Sequence, residues 1–168
     1  GGNTAKPAMC NPGDPNLVSE LWAFRLDCDN WEQVDASGGP SARARFGAVL
    51  DTTRDRMLVF GGRERVGGAY SNFAEVWAFD LTDDSWSQVE TSGTPAPGRN
   101  AAAVAYDQAR DQLIVFGGNT STNGATYAAV GDLWILDLES NEWREVTASG
   151  PSARIFPAGT VVGDEFVV

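Results

Sequence analysis

The segment DRMLVFGG (residues 55–62) returns almost unchanged as DQLIVFGG (residues 111–118), and this recurrence constrains the fold more than any other feature. Tryptophans come in three pairs, Trp22/Trp31, Trp77/Trp86 and Trp134/Trp143, the members of each nine positions apart. Arg43, Arg99 and Arg154 keep the same register, as do the glycine pairs Gly1–Gly2, Gly61–Gly62 and Gly117–Gly118. A period of about 56 residues with so many fixed positions marks repeated supersecondary units that bury their apolar faces against one another. Three units fill the chain, with approximate limits 1–60, 61–116 and 117–168.

Each unit reads as four strands. RFGAVL (45–50), a turn DTTRD, and RMLVF (56–60) lead into the diglycine; a longer loop follows, then EVWAFDL (75–81), a tight turn and WSQV (86–89). The alternation Trp77-Phe79-Leu81 places three large apolar side chains on one face, as a half-buried strand requires. Asp27–Asn30, Thr82–Ser85 and Glu139–Glu142 are rich in Asp, Asn and Ser, whose side chains bond their own backbone in turns. No segment has helical periodicity, so the class is all-β. Diglycine after a β-branched run marks a strand end where the backbone needs positive φ and neighbours leave no room for a Cβ. The first strands carry small residues instead: Ala101, Ala102, Ala103 and Ala105 in one copy, Ala158 and Gly159 in another. Such residues suit the narrow end of wedge-shaped sheets packed radially.

Composition narrows the function classes. The 168 residues have a net charge of −11 and a single lysine, Lys6, which disfavours counterion-release binding to nucleic acid or to an anionic membrane. No apolar run reaches the length of a membrane span. The chain contains no histidine, which removes the Ser-His-Asp triad, imidazole metal sites and the commonest general base. Paired carboxylates such as Asp83–Asp84 sit in a hairpin turn and read as turn formers. No catalytic residue, cofactor or metal ligand is therefore assigned. Cys10 and Cys28 are too few for a disulfide scaffold, and a bridge between them requires the long loop before LWAFRL (21–26) to double back. The absence of an initiator methionine and of a signal-like segment before Gly1 suggests a processed or excised stretch.

The ordered set VFGG, then [EVD]-[LV]-W-x-[FL], then W-x-x-V, then SG-x-P before Arg43, Arg99 or Arg154, resembles the kelch repeat family over all 168 residues. The resemblance implies four-stranded antiparallel blades of a β-propeller, here about three blades belonging to a larger, six-bladed ring. Where the family often has Gly-His at the start of the first strand, this chain aligns Phe46-Gly47, Asn100-Ala101 and Phe156-Pro157. Opening on one diglycine and closing before the next, the chain is expected to lack two inner strands of its first blade and two outer strands of its last. Either a second copy or the remainder of a longer chain would complete the ring.

A residue present in every copy belongs to the blade; a residue present in one copy is a better candidate for function. Arg43, Arg99 and Arg154 recur, as do the acids Glu20, Glu75 and Asp132 before each first tryptophan, and the two sets predict a repeated ion pair. Copy-specific, by contrast, is a run of Arg43, Arg45, Arg54, Arg56, Arg63 and Arg65 within 23 residues, where the matching span 99–121 holds only Arg99 and Arg110. Blade topology would gather Arg45, Arg63 and Arg65 on one rim, as a positive spot for an acidic partner, and leave Arg54 and Arg56 on the other. The loops after the diglycines diverge between copies, as binding loops on a constant scaffold do. In them, Tyr70, Asn72, Asn119 and Tyr127 are groups suited to a protein or sugar ligand. Kelch resemblance implies a protein-interaction scaffold, whose partner is another protein or the remaining blades. The alternative is a carbohydrate-binding or carbohydrate-active propeller with catalytic groups outside this stretch.

Overall fold

The computed structural model describes residues 2–3, 17–124 and 126–168, and every regular element in them is a β-strand. β1 (Gly2–Asn3) pairs with β2 (Leu17–Val18), followed by an antiparallel hairpin of β3 (Leu21–Arg25) and β4 (Asn30–Val34). The next unit holds β5 (Gly47–Asp51), β6 (Arg56–Phe60), β7 (Arg63–Val66), β8 (Ala69–Asn72), β9 (Val76–Asp80) and β10 (Ser85–Gln88). β5, β6, β9 and β10 form a four-stranded antiparallel sheet in that order. β11 (Ser92–Gly93), β12 (Ala103–Asp107), β13 (Gln112–Phe116), β14 (Leu133–Asp137) and β15 (Glu142–Val146) make the following sheet, with β11 joining β15 in parallel. A last hairpin, β16 (Thr160–Val162) with β17 (Glu165–Val167), closes the chain. The result is two complete blades flanked by an outer and an inner hairpin, the arrangement of a partial propeller.

Two readings need correction. RERVGGAYSN, read as loop, is the β7–β8 hairpin, turning on Gly67 and Gly68 at φ 57° and 88°. Positive φ at both turn residues is the requirement of a tight two-residue hairpin turn. The Trp77-Phe79-Leu81 face is also not a simple buried face: Phe79 is buried while Leu81 is 50% exposed, and Val76 and Ala78 on the opposite face are buried too. A blade lies between two neighbours, so both faces of its sheet are covered and alternation gives way to position along the strand.

Packing between units explains the glycines and small residues. Gly61 and Gly62 sit at φ 68° and 93°, and a Cβ on Gly61 would lie 2.6 Å from the Arg99 carbonyl. Gly117 repeats this against the Arg154 carbonyl, at 2.9 Å. Each diglycine thus admits the backbone of the next unit, which accepts a hydrogen bond from Gly62 N or Gly118 N, both at 2.9 Å. Nearer the axis β12 lies between β5 and β16, and a Cβ on Gly47 would overlap the Val104 side chain.

The inner strands are joined at their entrances by a repeated backbone device. Arg45, Ala101 and Phe156 all occupy the left-handed region, at φ 61°, 56° and 56°. Ala101 N donates to Arg45 O (2.8 Å) and Phe156 N donates to Ala101 O (2.9 Å), so each unit grips the one before it. Equivalent pairs at this point are therefore Arg45-Phe46, Ala101-Ala102 and Phe156-Pro157, one residue off the sequence register in the first copy and one in the other direction in the second.

Burial of the tryptophans follows the stacking. Trp134 and Trp143 are 5% and 3% exposed, Trp143 lying against Phe60 of the preceding blade at a ring distance of 5.6 Å, whereas Trp22 and Trp31 are 48% and 61% exposed. Cys28 is exposed in the β3–β4 turn; Cys10, and with it the proposed bridge, lies outside the described residues.

Candidate partner-binding rim

The recurrent arginines are held by their edges. Arg99 makes a two-point ion pair with Asp132 (2.6 and 2.8 Å) and donates to Gly117 O and Pro97 O. Arg43 repeats the pattern with Glu75 (2.9 Å), Gly61 O and Ser41 O. The acid has a second donor that sequence reasoning missed: the indole N–H two residues on, as Trp77 to Glu75 (2.9 Å), Trp134 to Asp132 (2.6 Å) and Trp22 to Glu20 (3.2 Å). Burial raises the pKa of Asp132, but Arg99 and the Trp134 N–H outweigh it and leave the carboxyl below its usual range.

The rim of the β5–β6 and β12–β13 turns is likewise neutralised. Arg54 binds Asp51 of its own hairpin (3.2 Å) and Asp111 of the next (2.6 Å), and Arg110 repeats this with Asp107 (2.9 Å) and Asp164 (2.7 Å). Arg56 adds a second cation on Asp51, which is fully buried. Tyr106 donates to Asp111 (3.0 Å) and pairs with Thr53 Oγ1 (2.7 Å); burial pushes its hydroxyl up to about 12.

On the opposite rim Arg45, Arg63 and Arg65 lie against ring faces, as Arg43 also does (3.8 Å over Phe73) in addition to its carboxylate. The Arg63 guanidinium lies 4.3 Å above the Tyr70 ring, Arg65 approaches the same ring at 5.3 Å, and Arg45 lies 5.0 Å from Phe156. Arg45 Nη1 is enclosed without an acceptor, and among the described residues no carboxylate pairs with Arg45 or Arg63. Burial, then repulsion by Arg45, lower the pKa of Arg63, while Tyr70 and Tyr127 oppose the shift. A ring face anchors a guanidinium without occupying its in-plane N–H donors. Arg63 is therefore anchored on Tyr70 with in-plane N–H groups able to donate.

The sequence candidates separate into two groups in this geometry. Arg45, Arg63, Arg65 and Tyr70 come together, with exposed Tyr127 near enough to act on Arg63. Asn72 and Asn119 are engaged in loop structure. Asn72 accepts from Asn100 (2.7 Å) and donates to Ser121 O (3.1 Å), while Asn119 accepts from Ser121 N and Ala128 N. Phe156 was not anticipated; its signal is its position, equivalent to Arg45 in the last unit. The following loop completes the patch, since a Cβ on Gly124 would lie 2.5 Å from the Tyr70 ring. Among the described residues no group of three acids or cysteines could hold a metal ion, and no helix is long and apolar enough to cross a membrane.

Comparison with known proteins places this geometry in context. The family model KLHDC2/KLHL20/DRC7 Kelch-repeats domain matches residues 1–168. Acyl-CoA-binding domain-containing protein 5 of Arabidopsis thaliana is 27% identical over 157 residues, which cover 92% of this chain and 23% of that protein. Dynein regulatory complex subunit 7 of Chlamydomonas reinhardtii is 29% identical over 125 residues, covering 70% of this chain and 10% of that protein. The chain thus spans less than a quarter of the length of these curated relatives. Among solved structures, that of YjhT superposes with a TM-score of 0.71 at 14% identity, covering 92% of this chain and 51% of YjhT. At that identity the likeness concerns the fold alone.

Proposed function

The chain belongs to the kelch-repeat family, and on that premise we propose that it is a protein-interaction module whose Arg45/Arg63/Arg65 rim receives an acidic segment of a partner protein. Kelch-repeat domains are commonly interaction modules, and one relative is by name a subunit of a dynein regulatory complex. The observation that carries the reading is the contrast in how arginines are held. Every arginine shared between the two complete blades has a carboxylate, whereas Arg45 and Arg63 have aromatic faces and none. On a protein of net charge −11, such a patch selects acidic partners by attraction that salt weakens.

The experiment is a binding titration of the full-length protein with a pool of acidic peptides at several salt concentrations, against the Arg63→Ala/Arg65→Ala double variant. The variant folds normally, loses affinity and has a flatter salt dependence. Unchanged affinity and salt slope would overturn the assignment of this rim.

The exposed Trp22, Phe24 and Trp31 of the β3–β4 hairpin support a second surface of contact, with further blades of a ring. In the complete blades the matching tryptophans are buried (Trp134, Trp143) or partly buried (Trp77, Trp86), and the ring is the surrounding in which the first pair would be covered likewise.

A further inference from the structure

We propose that Arg45 and Arg63 together take a phosphoryl group on the partner protein, a phosphorylated side chain in place of a carboxylate. This rests on the reading of the rim given above and names the ligand chemistry of that site. Arg45 and Arg63 are neighbours: Ala44 and Arg63 exchange two backbone hydrogen bonds (3.0 and 2.9 Å), and each guanidinium stands on its own aromatic ring. Two adjacent positive charges without a protein carboxylate are half neutralised by one carboxylate. A phosphorylated side chain carries about −1.5 to −2 at neutral pH and offers three strong acceptor oxygens, enough to meet both cations at once. Arg45 Nη1 is buried and has no hydrogen-bond partner, so this guanidinium is not committed to another group of the protein through that nitrogen.

The repeat marks the same residue, because Arg45 occupies a left-handed position, at φ 61°, that recurs in each unit. The equivalent positions hold Ala101 and Phe156, so the conformation belongs to the fold and the guanidinium to this copy alone. Groups that face Arg63 are Arg45, Arg65, Tyr70 and Tyr127; Glu64 precedes Arg65 on β7 and by strand alternation points to the other face. No imidazole is present anywhere in the chain. Arginine and tyrosine side chains as classes do not titrate between pH 5 and 7.5, so a change in affinity over that range reports the ligand.

The test uses the full-length protein and degenerate peptide pools that differ only in a central phosphoserine, glutamate or serine. At pH 7.5 and low salt the phosphoserine pool binds about tenfold tighter than the glutamate pool, and this advantage shrinks at pH 5 as the phosphate gains its second proton near pH 6. Arg45→Gly suits the left-handed backbone, so it keeps the fold while abolishing the phosphoserine preference; Arg63→Ala does the same from the other cation. Equal affinity for phosphoserine and glutamate, flat with pH, overturns the phosphoryl assignment and leaves the acidic-segment reading standing. Failure of both pools to bind overturns the two together. Binding of phosphoinositide vesicles or of RNA by the same arginines, with no phosphopeptide binding, overturns the assignment to a protein partner.

Discussion

The two rims of the blades use the same residue for opposite purposes. On one, Arg54 and Arg110 each tie an aspartate of their own hairpin to an aspartate of the next, and Arg56 reinforces the first of these on fully buried Asp51. On the other, Arg45 and Arg63 are steadied by Phe156 and Tyr70 and keep their donors available. An arginine closed off by carboxylates is committed to the scaffold, as is Arg43, which pairs with Glu75 although it also lies on Phe73; one resting on a ring with no carboxylate can still meet something that arrives. Number of arginines alone does not distinguish the rims; what lies against each guanidinium does.

The sharpest way to break this comparison is to remove Asp51. Its carboxylate receives Arg54, Arg56 and the backbone N–H groups of Thr53 and Arg54. Asp51→Ala removes these bonds, leaving Arg56 and the two backbone N–H groups without this acceptor while Arg54 keeps Asp111, and should destabilise by about 3–5 kcal/mol, read as a shift in denaturant midpoint. A loss below about 1 kcal/mol would place the weight of that rim elsewhere. Acid should act on the same rim. Burial raises the Asp51 carboxyl but Arg56 and Arg54 bring it below its ordinary value, and Arg54 followed by Tyr106 keeps Asp111 low against burial. Groups with depressed folded pKa values contribute stability that is complete above the unfolded value near 4 and disappears as pH falls through the folded value. Stability should therefore decline below about pH 5, and Asp111→Asn should flatten that decline in a pH series of melts.

Smaller effects sharpen the contrast. Tyr106→Phe removes the hydroxyl between Thr53 and Asp111 and should cost about 1 kcal/mol, with no change in peptide binding. Arg63→Ala on the opposite rim should shift stability by less than about 0.5 kcal/mol, because no hydrogen bond or ion pair of its side chain is lost, while ligand affinity falls. If Arg63→Ala melts the protein and Tyr106→Phe weakens binding, the division between the rims is wrong.

Much of the architecture was legible because identity repeats. Trp77 and Trp134, the diglycines and the Arg99–Asp132 pair announce themselves by spacing, since each unit must solve the same contact with its neighbour. The β7–β8 hairpin escaped because the matching loop of the third unit has no such hairpin among the described residues, although Gly67-Gly68 between two four-residue runs was a turn signal. Asn72 and Asn119 looked like ligand groups because a sequence does not say whether a loop amide faces outward or holds its own loop. Left-handed Arg45, Ala101 and Phe156 share a dihedral angle and no residue type, so comparison of letters aligned them a residue apart. The aromatic supports of the rim arginines come from different units, and only folding brings Phe156 to Arg45.

That alternation of constant backbone and free side chain has an evolutionary consequence. Arg45 O to Ala101 N, and Ala101 O to Phe156 N, link main chain to main chain, so the joint is indifferent to what each residue carries. At every turn of the repeat one substitution can rewrite a letter facing the mouth of the propeller while the joint persists. Duplicated blades can therefore diverge in what they recognise one codon at a time, without renegotiating how they fit together.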